Sequence, residues 1–207
     1  MRIQQVTKKK RTTDCIIIFD NDEEIVLSMD IVLKYQLSKN KEITSDTLKE
    51  INTEQQKINI KQDAFNYASY KPRTMKQVQQ KLEQKGYFSE LISLAINFLV
   101  NFELLDDKKF AYTFAKEYAH RKNAGPFKIE NELIRRGIEP ELAKEAVYEN
   151  YPDEKKIELA REHAKKKVKM LNNKSKDKKY RSLRDSLLRN GFDIDTVSKV
   201  IREVLED

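Results

Sequence analysis

Nine cationic side chains, Lys165, Lys166, Lys167, Lys169, Lys174, Lys176, Lys178, Lys179 and Arg181, fall in one short stretch of the chain. They belong to a segment, residues 155–189, with fourteen basic residues against four acidic ones. The rest of the chain is balanced or slightly acidic, so this segment holds all of the excess behind a net charge of +7. Cations at this density suit a polyanion, either phosphate backbone or an acidic protein surface. A lysine run is also what a solvated helix face looks like. Three consecutive lysines spread over about 200° of a helix, so they cannot all meet one partner. Lys165 and Lys169, four apart, form the most coherent pair. Arg73, Arg135 and Arg136 are further candidate contacts to a partner or nucleic acid.

Other chemistry is poorly supplied. The sequence Gly-x-x-x-x-Gly-Lys never occurs, so no phosphate-binding loop is expected. The two histidines, His120 and His163, are far apart, and no His-x-x-His or Cys-x-x-Cys spacing supports a metal. The single cysteine, Cys15, sits in an apolar run and reads as a packed thiol in a reducing compartment. Asp106 and Asp107 stand where a helix cap is needed and require no acid–base role. Tyr112, Phe114, Tyr118 and Phe127 fall at helical spacing and are expected in a core. Tyr70, Tyr151 and Tyr180 lie at unit boundaries, where they pack between units or stack on a partner's groups. The expectation is a non-enzymatic protein with no cofactor and no metal.

The elements that must carry the cations follow from three glycines. Leu82-Glu83-Gln84-Lys85-Gly86-Tyr87, Leu133-Ile134-Arg135-Arg136-Gly137-Ile138 and Leu187-Leu188-Arg189-Asn190-Gly191-Phe192 share one pattern. Each has Leu four residues before Gly and a bulky apolar residue after it, at spacings of 51 and 54 residues. An internal repeat of this length marks a modular architecture. Gly86, Gly137 and Gly191 each read as the left-handed residue that ends a helix. Around each, the apolar spacing predicts three amphipathic helices.

The predicted fold is therefore mainly α. Residues 1–60 form a β-hairpin with helices, in which Cys15–Phe19 and Glu24–Leu27 pair and Ile3–Val6 can add a strand. Residues 46–70 are one long helix or two abutting ones. Three-helix repeats occupy 61–104, 105–151 and 152–207, the last of them basic. In the first, Ala64, Phe65 and Ala68 face inward, a Thr74–Gln77 capping box opens the second helix, and Ser89 caps the third. In the last, Asp153 caps the first helix, and Asp193 caps a third that buries Ile194, Val197, Ile201 and Val204. Such units resemble helix-turn-helix DNA binders and set in tandem would be elongated, suiting a groove or filament. No apolar run is long enough to span a membrane and no signal peptide is apparent, so a cytoplasmic monomer is expected.

These residues are similar to a known family. Tyr70-Lys71-Pro72-Arg73-Thr74, with Val78 and Lys81-Leu82-Glu83-Gln84-Lys85-Gly86-Tyr87, resembles the first-repeat signature of the RecX regulatory proteins. Leu104-Leu105-Asp106-Asp107-Lys108-Lys109-Phe110-Ala111 resembles the start of their second repeat. Gly125 with Lys128-Ile129-Glu130-Asn131-Glu132-Leu133-Ile134-Arg135-Arg136-Gly137-Ile138 resembles its middle. The family often has Arg-Ser where this chain has Arg73-Thr74, and both hydroxyls cap a helix. The resemblance covers residues 60–205 and is weakest in the third repeat, whose lysine density is this chain's own feature. It implies a bacterial regulator that binds the RecA recombinase filament on DNA and inhibits strand exchange and coprotease activity, with no catalytic residues. Two other classes fit the charge: a sequence-independent DNA-binding helical protein with no recombinase partner, and a helical scaffold for another acidic partner.

Overall fold

The structure, a computed structural model, describes residues 1–171 and 175–206, the side chain of His120 excepted. Helix accounts for 67% of the residues and, among the described residues, strand is confined to the N-terminal part, so the fold is mainly α. The chain forms two compact units, Met1–Ser69 with Lys81–Asn101, and Tyr70–Gln80 with the chain from Phe102 onward.

The first unit begins with an antiparallel sheet in the order β1 (Ile3–Lys8), β2 (Asp14–Phe19) and β3 (Glu24–Ser28). The third strand allowed for at Ile3–Val6 is present, and it pairs Ile3 with Phe19 and Val6 with Ile17. Alternation along β2 sends Cys15, Ile17 and Phe19 to one face, where they are buried with Ile3 and Leu27. That face packs on α1 (Met29–Lys34) through Ile31 and Val32, and on Ile51 of α2 (Ser45–Tyr70). The Ser28 hydroxyl caps α1 by accepting from Ile31 N. A hydrogen bond from the Ser28 backbone N–H to the Gln55 side-chain Oε1, 2.7 Å, ties the last strand to α2. Helix α2 runs unbroken for 26 residues, one helix where the sequence left two possible. Phe65 on it is 43% exposed, not inward as expected: the inward stripe Ile60, Ala64, Ala68 already fills that face. The unit also contains the last turn of α3 (Met75–Gln84) and all of α4 (Ser89–Asn101). Ser89 is the first residue inside α4, not its cap; Ile92 N bonds to the Phe88 carbonyl.

The second unit holds α5 (Asp107–Lys122), α6 (Pro126–Arg135), α7 (Pro140–Asn150), α8 (Asp153–Lys169), α9 (Lys176–Arg189) and α10 (Ile194–Glu206). These six helices share one core. Ala111, Ala115 and Ala119 of α5, Ile129 and Leu133 of α6, Ala160 and Ala164 of α8, and Leu183 and Leu187 of α9 are all buried in it. Small side chains along α5 and α8 let neighbouring helices approach closely. Asp106 caps α5, accepting from Lys109 N at 2.8 Å, and Asp193 caps α10, accepting from Thr196 N at 2.8 Å. Pro152, not Asp153, is the residue before α8, because Asp153 is already helical.

Two expected core residues lie outside. Phe127 is 56% exposed, because it stands two residues, about 200°, round α6 from Ile129. Ile194 is 70% exposed: it opens α10 one turn before buried Val197, beyond the edge of the core. Tyr112, Phe114 and Tyr118 are partly buried against that core, and Phe114 stacks on Phe110 and Tyr118 at 5.8 and 5.0 Å.

The glycine pattern is a Schellman motif used three times. At each end, the residue after Gly donates its N–H to the carbonyl of the shared Leu: Tyr87 to Leu82, Ile138 to Leu133, Phe192 to Leu187. The Gly N–H bonds three residues back in all three, at 2.9 Å. The φ angles are +84°, +94° and +88° for Gly86, Gly137 and Gly191.

Two of these helix ends also plug into the start of an earlier helix. At the end of α6, the Arg136 carbonyl accepts from the Thr74 hydroxyl at 2.6 Å. Thr74 opens α3 and closes its capping box, accepting from Gln77 N while Gln77 Oε1 accepts from Thr74 N. Asp107 completes this end by accepting from Met75 N at 2.9 Å. At the end of α9, the Asn190 carbonyl accepts from Gly125 N at 2.7 Å and the Gly191 carbonyl from Phe127 N at 3.1 Å. Thr74 and Gly125 occupy the same place in their repeats, as do Arg136 and Asn190. The negative end of one helix dipole thus rests on the positive end of another.

Candidate nucleic-acid interface

The third repeat is α8, α9 and α10, closed around Ala160, Ala164, Leu183, Leu187, Val197 and Ile201. Arg161 locks α8 to α10 through a forked contact with Glu203, Nε at 3.0 Å and Nη2 at 2.7 Å. Lys156 bridges Asp153 at 2.8 Å and Asp193 at 3.1 Å. Two cations of the basic segment therefore serve the fold.

The candidate lysines are placed differently. Lys165, Lys166 and Lys169 are exposed on the C-terminal half of α8, with Lys167 half-buried. Lys176, Lys178 and Arg181 are exposed on the first turns of α9, and Lys179 is half-buried. Lys174 lies outside the described residues. The inward side of α8 is taken by Leu159, Ala160 and Ala164, so the lysines fan over what remains. Lys166 meets Glu162 only at 3.8 Å, with 71% of its side chain exposed, a weak surface pair. Lys165 and Lys169 share one side of the helix four residues apart. Arg184 and Arg189 add two exposed cations on α9 that the candidate set omits, though they lie in the same basic segment.

His163 sits behind this surface. Its Nε2 is 2.9 Å from Ser186 Oγ and its Nδ1 3.3 Å from Asn190 Nδ2. The amide of Asn190 can only donate there, so Nδ1 is the acceptor and Nε2 carries the proton. Burial first, then Lys128, Lys167 and Lys166, push its pKa below the ordinary imidazole value. Asn190 also donates to the Asn123 carbonyl and accepts from Lys128 Nζ at 2.8 Å.

The three arginines occupy the other plug. Arg73 directly precedes Thr74, and Arg135 and Arg136 directly precede Gly137, so the fold brings sequence-distant candidates to one helix junction. Arg135 is exposed, with Glu132 at 2.8 Å. Arg136 is drawn inward: it pairs with Glu132 at 2.8 Å and its guanidinium lies over the Phe114 ring, 4.8 Å from the centroid. Packing accounts for Arg136, and it is not presented as Arg135 is. Of the boundary tyrosines, Tyr151 is buried with its hydroxyl on the Ala124 carbonyl, whereas Tyr70 and Tyr180 are exposed. Among the described residues no three metal-ligating side chains gather, and no helix is long and apolar enough to cross a membrane.

A sheet-bearing N-terminal part followed by three-helix repeats, two of them plugged end to start and the last one cationic, defines a tandem helical-repeat protein. Family models for RecX match it in chain order: the first three-helix domain over residues 61–99, the second over 106–147 and the third over 153–201. The chain belongs to the RecX family. It is 27% identical over 202 residues to the regulatory protein RecX of Bacillus licheniformis, covering 97% of this chain and 76% of that one. To the RecX of Caldanaerobacter subterraneus it is 26% identical, with coverage of 97% and 98%. To that of Lactococcus lactis it is 33% identical over 149 residues, 72% of this chain and 55% of the other. A crystal structure of a regulatory protein RecX superposes with a TM-score of 0.76 at 21% identity over 98% of both chains, a likeness of fold. RecX from Lactobacillus salivarius gives 0.66 at 29% identity, over 72% of this chain and 96% of that one.

Proposed function

We propose that this chain is a non-enzymatic regulator that binds RecA filaments assembled on DNA and inhibits their recombinase and coprotease activities. The observation that carries the reading is the cationic surface of α8 and α9. It combines exposed Lys165, Lys169, Lys176, Lys178 and Arg181 in a segment, residues 155–189, where fourteen basic residues stand against four acidic ones. Membership of a family of regulatory proteins supports it. The lysines lie off the core stripe Leu159, Ala160 and Ala164, so meeting phosphate requires no rearrangement of that stripe. Each phosphate neutralised contributes a slope of about −0.7 to −0.9 in log affinity against log salt.

The test is the triple variant Lys165→Glu, Lys169→Glu, Lys176→Glu, titrated onto RecA–single-stranded DNA filaments and onto the bare strand. The expected result is weaker binding to both, a shallower salt dependence and an unchanged circular dichroism spectrum. Unchanged affinity at low salt in the folded variant shows that the run is only a solvated face. A loss on the filament alone shows that the lysines meet acidic recombinase surface instead of phosphate. Wild-type affinity for naked duplex equal to that for filament favours a sequence-independent DNA-binding protein with no recombinase partner.

A further inference from the structure

The charge of α8 is unevenly placed along its length. Its last turns carry Lys165, Lys166, Lys167 and Lys169 with no acid among them; its first turn sets Asp153 and Glu154 beside Lys155 and Lys156, roughly 17 to 24 Å away at 1.5 Å per residue. Beside that first turn is a cleft of about 700 Å³, walled by the start of α6, the second half of α7 and the start of α8. Five carboxylates line it against two lysines, although the chain as a whole is basic. One of those lysines, Lys156, is already held between Asp153 and Asp193.

The cleft's apolar surface is also out of the ordinary. Tyr148 of α7 is 83% exposed and Phe127 of α6 is 56% exposed, two rings lining the cleft with no core to fill. Buried Tyr151 forms the floor, pinned by its hydroxyl to the Ala124 carbonyl. The helix dipole explains Asp153 and Glu154 in a first turn. It explains neither Glu130 nor the rings. Aromatic faces beside carboxylates suit the head and stem of an arginine or lysine, which the rings attract and the acids neutralise. A phosphate backbone is repelled by the same carboxylates.

The geometry points to this cleft as the docking site for an arginine- or lysine-bearing surface segment of the partner protein. It rests on the proposed function, in which that partner is the recombinase. The molecule then holds its target through two poles: lysines of α8 and α9 on phosphate, and the acidic aromatic cleft on recombinase protein. Exposed anchors of this type are where interfaces concentrate their binding.

The experiment uses the full chain with Tyr148→Ala and, separately, Glu154→Lys, two exposed positions whose change leaves the core intact. Affinity is measured for RecA–single-stranded DNA filaments and for the bare fluorescein-labelled strand, with thermal melts as a folding control. Each variant is expected to bind filaments about tenfold more weakly and bare strand as wild type does, within twofold. Unchanged filament affinity of both folded variants, with wild type binding filaments well, overturns the cleft and leaves the functional reading standing. A matching loss on bare strand overturns it too, by making the cleft a nucleic-acid site. Failure of wild type to bind filaments removes the functional reading and the cleft's partner together.

Discussion

Gly191 and Gly86 end their helices with the same two hydrogen bonds and nearly the same φ, yet their surroundings differ completely. A Cβ added at Gly191 would stand 2.3 Å from the backbone N of Lys128. At Gly137 it would meet Lys76, with Cβ at 2.3 Å and Cδ at 2.4 Å. At Gly86 it would meet nothing within 4 Å. The difference teaches that one local motif does two jobs. Everywhere it ends a helix; in the second and third repeats it also lets that end press against an earlier repeat. The first repeat has no earlier one to press on, and only its local job remains.

The largest effect expected from this comparison is at Gly191. Gly191→Ala combines the strain of a left-handed alanine with a clash against backbone that cannot swing away, so a loss of about 3 kcal/mol or more is expected. Gly137→Ala should cost about 2 kcal/mol, because part of the obstruction is the flexible Lys76 chain. Gly86→Ala should cost only the conformational strain, about 1 kcal/mol. Urea titrations of the three proteins test the order. Equal losses would reduce all three glycines to their local job.

Thr74→Val probes the first plug without touching a glycine. It removes the cap of α3 and leaves the Arg136 carbonyl without its 2.6 Å donor, at a cost of about 2 kcal/mol. A loss of a few tenths would mean that the plug contributes little beyond the cap. The second plug makes the corresponding bond from the backbone N–H of Gly125, which only proline among the substitutions removes.

The smallest effect is a pH dependence confined to the second plug. Neutral His163 accepts from Asn190, the residue whose carbonyl enters that plug. Its folded pKa lies below its unfolded one, so the unfolded chain binds the proton more readily. Stability from this group is complete above the ordinary imidazole pKa of about 6.5 and falls as the pH drops below it. Protonation would also set Nδ1–H against the Asn190 amide and place a cation near Lys128, Lys166 and Lys167. The melting temperature of wild type should fall between pH 7.5 and 5, and that of His163→Gln should fall less. Parallel curves would remove His163 from the account.

Much of this architecture is legible in the residues. The Leu-x-x-x-Gly-apolar pattern encodes the Schellman end because both of its hydrogen bonds are local, within five residues. Thr74 and Gln77 announce a capping box for the same reason. The plugs are not legible, since Thr74 and Arg136 stand 62 residues apart and any threonine cap looks alike in sequence. Periodicity misplaces Phe127 and Ile194 because it reports which side of a helix a residue occupies but not where the core ends. The cations of α8 and α9 are plain from composition, whereas the division of labour among them, with Lys156 and Arg161 holding the fold and Lys165 and Lys169 exposed, depends on distant Asp193 and Glu203. The acidic cleft draws residues from α6, α7 and α8 and has no contiguous signature.

The direction of the plugs gives synthesis a one-way order. A ribosome makes the start of α3 well before Arg136, its later partner 62 residues on, and makes Gly125 well before Asn190. The first and second repeats as they emerge therefore offer open hydroxyl or N–H groups to a segment not yet translated. A message cut short after α7 yields a chain whose α6 entrance is open to solvent, while its first plug, already translated, can close.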